Sequence, residues 1–324
     1  MEDCLMSLDG AMMAKPPSQF DNDSGGRPTP VRIDGGDQPA DILRFAVDAF
    51  GEGGVALATL VDIRGGAARA LGSHIAIAAD GRFCGYVSGG CVEAAVASEA
   101  MQAIAKGKDR SVTYGEGSPF FDIVLPCGGG ITVAIHVLRN AEPLRAILDG
   151  VADRMPMALR YSPEAQLLQL SECPQRPCWQ GAEFVTVYRP VTRVVISGAN
   201  MEADAVARLA TTSRWDVILQ NGLQQDLAST MDAFTAVVLL HHDLDAEERL
   251  LDAAMVSSAF YVGALGSART HHQRSERMQR RGFSRQDIDR IKAPIGIFGP
   301  TRDATALALS VVADIAASRL ALYG

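Results

Sequence analysis

The stretch RVVISGANMEADAVARLATTSRWDVILQ, residues 193–220, decides the fold. RVVISG reads as a buried strand closed by Gly198, MEADAVARLATT as a helix, and WDVILQ as a second strand. Strand, helix and strand at this spacing make the βαβ unit of a parallel sheet. The alternation continues through strand TAVVLL, helix DAEERLLDAAM, the turn FYVGALGS, a polar helix and the long C-terminal helix DATALALSVVADIAASRLAL. A Rossmann-like parallel α/β domain is therefore predicted over 190–324, with Pro190 at its start.

The residues before Pro190 carry a different pattern. PADILRFAVDAF is an apolar-periodic helix with Asp37 as its expected N-cap. GVALATLVDI is a buried strand, and HIAIAADGRFCGYV is two strands joined at Asp80-Gly81, a strong hairpin signal. The helix CVEAAVASEAMQAIA should end at Gly107. ITVAIHVL is a further strand and AEPLRAILDGVADRM a further helix, while MALRYSPEAQLLQL and GAEFVTVY add antiparallel strands up to about Tyr188. A mixed-sheet α/β domain is expected over 38–189. Residues 1–37, rich in Pro, Gly, Ser and Asp, read as a disordered leader.

The 324 residues are 48% hydrophobic and 21% charged, with a formal net charge of −8. No long Lys/Arg stripe is present, so neither nucleic acid nor an anionic membrane surface is expected as partner. No apolar run is read as approaching the ~20 residues of a membrane span. The opening MEDCLMSLDG has neither a basic start nor an apolar core, so no secretory signal is expected. The six cysteines form no C-x-x-C pair, and reduced thiols in the cytoplasm are the simplest account.

Three stretches before Pro190 could carry chemistry. In GYVSGGCVEAAV, residues 85–96, Ser88, Gly89 and Gly90 lead Cys91 into the first turn of a helix. The unpaired N–H groups and dipole there attract anions and should favour a thiolate. The alternative is a small apolar residue that packs at a helix start. LPCGGGITVAI sets Cys127, Gly128 and Gly129 before a strand, a second Gly-Cys loop that could face the first; a buried cysteine in a β-turn is the alternative. RGGAARALGSH places Arg69 between glycines, where its planar fork suits a phosphate or pterin-like ligand, or simply water. Cys84, Cys91 and Cys127 fit no common zinc spacing, and no metal ligand set is assigned.

In the second domain, Gly198, Asn200 and Ala203 stand where a dinucleotide fingerprint asks for three glycines. Gln220 and Asn221 stand where it asks for a ribose-binding acid. NAD is therefore not expected, although a nicotinamide-dependent oxidoreductase remains the rival function. His241, His242 and Asp243 follow strand TAVVLL at the ligand-binding end of a parallel sheet, or cap the next helix. Gly266 and Ser267 could complete the same cleft.

Together these stretches resemble the XdhC/CoxI family, the xanthine dehydrogenase accessory factors. Ser88, Gly89, Gly90, Cys91, Val92 and Glu93 read like the family's S-G-G-C-V-E element, and Cys127, Gly128 and Gly129 like its C-G-G. Tyr261, Val262, Gly263, Leu265, Gly266 and Ser267 match Y-V-G-x-L-G-S. Pro294, Ile295 and Gly296 match P-I-G, and Ser310, Ala313 and Ile315 keep the last helix in register. Departures occur as well. Gly66 and Ala68 replace a Ser and a Pro beside Arg69, Asn200 and Met201 replace the end of a G-A-G-H element, and His241-His242-Asp243 replaces Thr-His-Asp.

The resemblance implies a cytoplasmic chaperone rather than a turnover enzyme. Such a protein binds molybdenum cofactor and protects it while a cysteine desulfurase installs a sulfido ligand. It then helps to insert the cofactor into a xanthine dehydrogenase-type molybdenum hydroxylase. A homodimer is also compatible with it. The cofactor-binding residues it implies are Arg69, Ser88, Gly89, Gly90, Cys91, Glu93, Cys127, Gly128 and Gly129, with His242, Asp243, Gly266 and Ser267 in the second domain.

Overall fold

The computed structural model describes residues 28–33, 36–116, 118, 128–198, 200–220 and 230–323. Its first half is built on a six-stranded mixed sheet: β1 (Val31–Arg32), β2 (Val55–Arg64), β3 (His74–Ala78), β4 (Arg82–Gly85), β5 (Arg110–Gly115) and β6 (Gly130–Val137), in the order β1-β4-β3-β2-β6-β5. Only the β1–β4 pair is parallel. The Asp80-Gly81 turn joins β3 to β4, with Gly81 at φ +91°, a conformation that glycine adopts without a Cβ penalty.

Helix α2 (Glu93–Lys106) covers one face, burying Val96, Ala97, Ala100 and Met101 against β2, β3 and β6. It stops at Gly107, whose left-handed backbone returns its N–H to Ala103 O and Ile104 O, a glycine C-cap. Helices α1 (Pro39–Glu52) and α3 (Glu142–Ala152) lie on the other face. A separate antiparallel sheet closes that side. It consists of β7 (Met157–Ser162), β8 (Leu167–Leu170), β9 (Cys178–Gln180) and β10 (Glu183–Tyr188), ordered β8-β7-β10-β9.

The second half is a parallel sheet of β11 (Arg193–Ser197), β12 (Asp216–Gln220), β13 (Thr235–Leu239), β14 (Tyr261–Ala264) and β15 (Ile291–Lys292), ordered β12-β11-β13-β14-β15. Helices α4 (Met201–Thr212), α5 (Leu244–Val256), α6 (Ala268–Arg280), α7 (Arg285–Ile288) and α8 (Ala304–Tyr323) surround it. This is the Rossmann-like arrangement that the alternating pattern predicts.

Three expectations are corrected. Order reaches further back than Asp37: Val31 and Arg32 add an edge strand to β4, and Ile33 packs on the core. Gln38, not Asp37, precedes α1, without a side-chain cap, because Asp37 is drawn to Arg69 at 3.5 Å. Helix α8 is long and apolar enough, by length and composition, to cross a bilayer. It packs against α4 and buries Leu307, Ala308, Val311 and Ile315 in the core, as a core helix does.

The halves meet through the N-terminal ends of the parallel strands. Arg154 pairs with Asp232 and, at 3.8 Å, with Asp216, the first residue of β12. Arg214 binds Asp41 at 2.7 Å, and Arg154 also donates to Val191 O at 3.2 Å.

Candidate functional site

The strand registers gather the glycine-bearing loops at one end of the mixed sheet. Arg64, the last residue of β2, pairs with Gly130, the first of β6, and Gly130 pairs with Gly115, the last of β5. Gly85 ends β4 opposite Ile75, close to the start of β3. The segments after β2, after β4 and before β6 therefore leave from the same edge. They also touch: a Cβ on Gly65 would lie 3.4 Å from Gly129 Cα, one on Gly89 3.3 Å from Ala68 Cβ, and one on Gly129 would meet Gly66 N and O. Glycine permits this close approach of backbones. A Cβ on Gly128 or Gly90 would meet nothing within 4 Å among the described residues. Cys127 lies outside the described residues.

The loop after β4 is organised around one carboxylate. Glu93 is 4% exposed. Its Oε1 accepts from the N–H groups of Val87 (3.1 Å), Ser88 (2.8 Å) and Gly89 (3.1 Å). Its Oε2 accepts from those of Gly90 (2.9 Å) and Val92 (3.1 Å). The Ser88 hydroxyl donates to the same carboxylate at 2.8 Å and receives the Cys91 N–H at 3.1 Å. Burial pushes the Glu93 carboxyl up, but the hydrogen bonds from Ser88, from its own backbone amide and from Val87 outweigh burial and hold it below the usual carboxylate range. The sequence suggested free N–H groups here for an anionic ligand; the structure fills them with Glu93. The consequence for Cys91 is positional: its side chain is exposed at the loop tip, one residue before a helix that Glu93 ties down.

Positive charge sits next to this loop. Tyr86 precedes Val87, and its ring lies under two guanidinium groups, Arg32 Cζ at 4.0 Å and Arg69 Cζ at 5.5 Å from the centroid, a cation–π arrangement. Arg69 was legible from its glycines. Arg32 and Tyr86 were not, because the pairing of β1 with β4 that brings them together has a two-residue signal. An exposed soft thiol and two cations fit a ligand that has a sulfur-binding centre and an anionic group.

The second-domain candidates lie elsewhere. Asp243 caps α5 through Asp245 N–H (3.0 Å), and Ser267 caps α6 through Thr270 N–H (3.3 Å). His242 is exposed, and Gly266 turns at φ +128° between β14 and α6. His241 Nε2 lies 2.6 Å from Ser197 Oγ. All follow the C-terminal ends of the parallel strands, whereas the first half contacts the N-terminal ends. A five-residue strand, roughly 16 Å, separates the two edges. Asn200 caps α4: its Oδ1 accepts the Ala203 N–H (2.9 Å) and its Nδ2 donates to Leu240 O (2.8 Å). A pyrophosphate would need one of those helix-start donors.

Sequence and structure comparisons agree with these observations. A family model described as "XdhC Rossmann domain" matches residues 194–315, and one described as "XdhC and CoxI family" matches residues 51–115. The molybdenum cofactor insertion chaperone PaoD of Escherichia coli K12 is 49% identical over 280 residues, which are 86% of this chain and 88% of PaoD. A Bacillus halodurans chain described as a xanthine dehydrogenase superposes with TM-score 0.66 at 17% identity, covering 86% of this chain and 96% of that one. At that identity the likeness speaks for the fold alone.

Proposed function

We propose, from the premise that the chain belongs to the XdhC and CoxI family, that it is a chaperone of molybdenum cofactor. In this reading it binds the cofactor and holds it while a cysteine desulfurase supplies the sulfido ligand. It then assists its insertion into a xanthine dehydrogenase-type molybdenum hydroxylase. The observation that carries the reading is the convergence of three glycine-bearing loops at one sheet end, with Cys91 exposed in the loop after β4 and Arg32 and Arg69 over Tyr86 at the start of that loop. Cys91 would meet the soft, sulfur-ligated end of the cofactor, and Arg32 and Arg69 its phosphate. When bound, the cofactor supplies the molybdenum centre that the client enzyme later uses. The chain's own residues would position it.

The rival is a nicotinamide-dependent oxidoreductase working at Gly198. The Asn200 cap and the tight packing of Gly198 against Leu240 and Ala203 count against it. The test is to isolate the chain from a host that makes molybdenum cofactor, measure molybdenum and pterin per chain, and titrate the same protein with NADPH. Near-stoichiometric molybdenum with no saturable NADPH binding supports the chaperone. Saturable NADPH binding without molybdenum supports the rival.

A further inference from the structure

We propose that the cleft between the mixed sheet and the small antiparallel sheet is where the chain receives a planar nitrogen heterocycle, the pterin of its cargo; this rests on the reading as a molybdenum cofactor chaperone. The cleft measures about 410 Å³, within the usual range for small-molecule sites. Val61 and Ala134 form apolar floor, Trp179 and Tyr161 line it from the antiparallel sheet, and Thr132, Ser111 and Asp62 supply polar groups.

Its walls are held rigid. Trp179 is 44% exposed, yet its Nε1 donates to Val61 O at 2.9 Å and its ring packs edge-on against Phe184. Tyr161 is buried and donates to Asp109 at 3.1 Å, and Asp109 also accepts from Val137 N–H and pairs with His136 and Arg139. An exposed, fixed indole is a stacking surface for a flat ring. The carboxylate and hydroxyls beside it suit the amino and ring N–H donors of a pterin.

The cleft also leads to the loop end. Arg64 closes β2, and its Nη1 donates to Asp62 (2.9 Å) and Thr132 (3.3 Å), both of which line the cleft. Its Nε and Nη2 are buried with no partner among the described residues and lie against Gly130. Buried guanidinium donors left over at the rim call for an anionic acceptor. A ligand with a flat ring on Trp179 and an anionic arm toward Arg64 would satisfy both.

The experiment uses the full chain carrying Trp215→Phe, which leaves Trp179 as the sole tryptophan. Pterin-6-carboxylate is titrated in while Trp179 fluorescence is read. Saturable quenching is expected, weakened by about tenfold or more when Ser111→Phe fills the cleft from β5. Absence of saturable quenching, or quenching that Ser111→Phe leaves unchanged, overturns the proposal. Should Ser111→Phe lose the fold by circular dichroism, Asp62→Asn carries the same test. Molybdenum and pterin content of the isolated protein separates this from the function reading. A loaded wild type with an equally loaded Ser111→Phe variant refutes the cleft alone. A wild type without molybdenum that still binds the probe through the cleft refutes the chaperone reading alone.

Discussion

Replacing Glu93 by Gln removes the charge that gathers the loop from Val87 to Val92, and its effect can be worked from the contacts. Five backbone N–H groups and the Ser88 hydroxyl converge on the carboxylate. Gln keeps one carbonyl oxygen, which serves the donors of one side. The amide nitrogen that replaces the other oxygen faces N–H groups instead of accepting from them. Val92 is 1% exposed, so its N–H cannot turn to water and keeps only the longer bond to Ser88 Oγ at 3.2 Å; a buried donor left poorly satisfied costs up to about 1–3 kcal/mol. Bonds to a charged acceptor fall from about 1.5–3 toward about 1 kcal/mol each. Coupled losses in one network do not add, so the expected loss is about 2–4 kcal/mol, a Tm drop of roughly 4–16 °C. Hydrogen exchange read on the peptide spanning residues 86–96 should show faster exchange of the loop amides while those of β2 stay protected. The pH dependence has a fixed sign. Because the folded carboxyl is held below its ordinary 4.5, its contribution is present above that value and is lost only as pH falls through the lower folded value. Wild-type protection should therefore persist at about pH 5. Unchanged exchange and unchanged Tm in Glu93→Gln would refute the view that this carboxylate organises the loop.

Cys91→Ser should leave the free energy of unfolding within about 0.5 kcal/mol of wild type, since the side chain is exposed, while molybdenum retained per chain falls sharply; equal retention would make the thiol a bystander. His74, bonded to Thr59 and Tyr188, is pushed down to about 3 by burial. The unfolded chain binds a proton there near 6.5, so stability present above that pH is lost as pH falls, by about 2 kcal/mol at about pH 5; His74→Gln should flatten this slope in urea titrations. Arg274→Met strands Glu247, its buried partner at 2.5 Å, and should cost about 3–5 kcal/mol by denaturant midpoint, part of which Glu247→Gln recovers.

The architecture was legible where one residue type dictates one backbone. Asp80-Gly81 fixed the hairpin, Gly107 the end of α2, and the βα alternation after Pro190 the parallel sheet. The site was legible as a set of loops but not as a geometry. Whether Glu93 points at a ligand or back into its own loop depends on backbone angles at Gly89 (φ +94°) and Gly90 (φ +121°), which glycine leaves open. Asn200 could equally have been a gap in a fingerprint or a helix cap, and the packing of Leu240 makes it the cap. The contact of the first half with the N-terminal rather than the C-terminal strand ends rests on pairs far apart in the chain, such as Arg154 with Asp232, that no local pattern announces. The Trp179 cleft needs two sheets to face each other, and the bond from Trp179 Nε1 to Val61 O joins residues far apart in the chain.

The central claim is that this chain carries molybdenum cofactor to a client, and transfer tests it directly. The loaded chain is mixed with a cofactor-free molybdenum hydroxylase, and client activity is followed against free cofactor and against the chain bearing Cys91→Ser. The account predicts that the loaded wild type activates the client faster and to a higher level than free cofactor, that the serine variant falls short, and that molybdenum leaves the chain as activity appears. Activation no better than free cofactor, with molybdenum remaining on the chain or never present there, would contradict it.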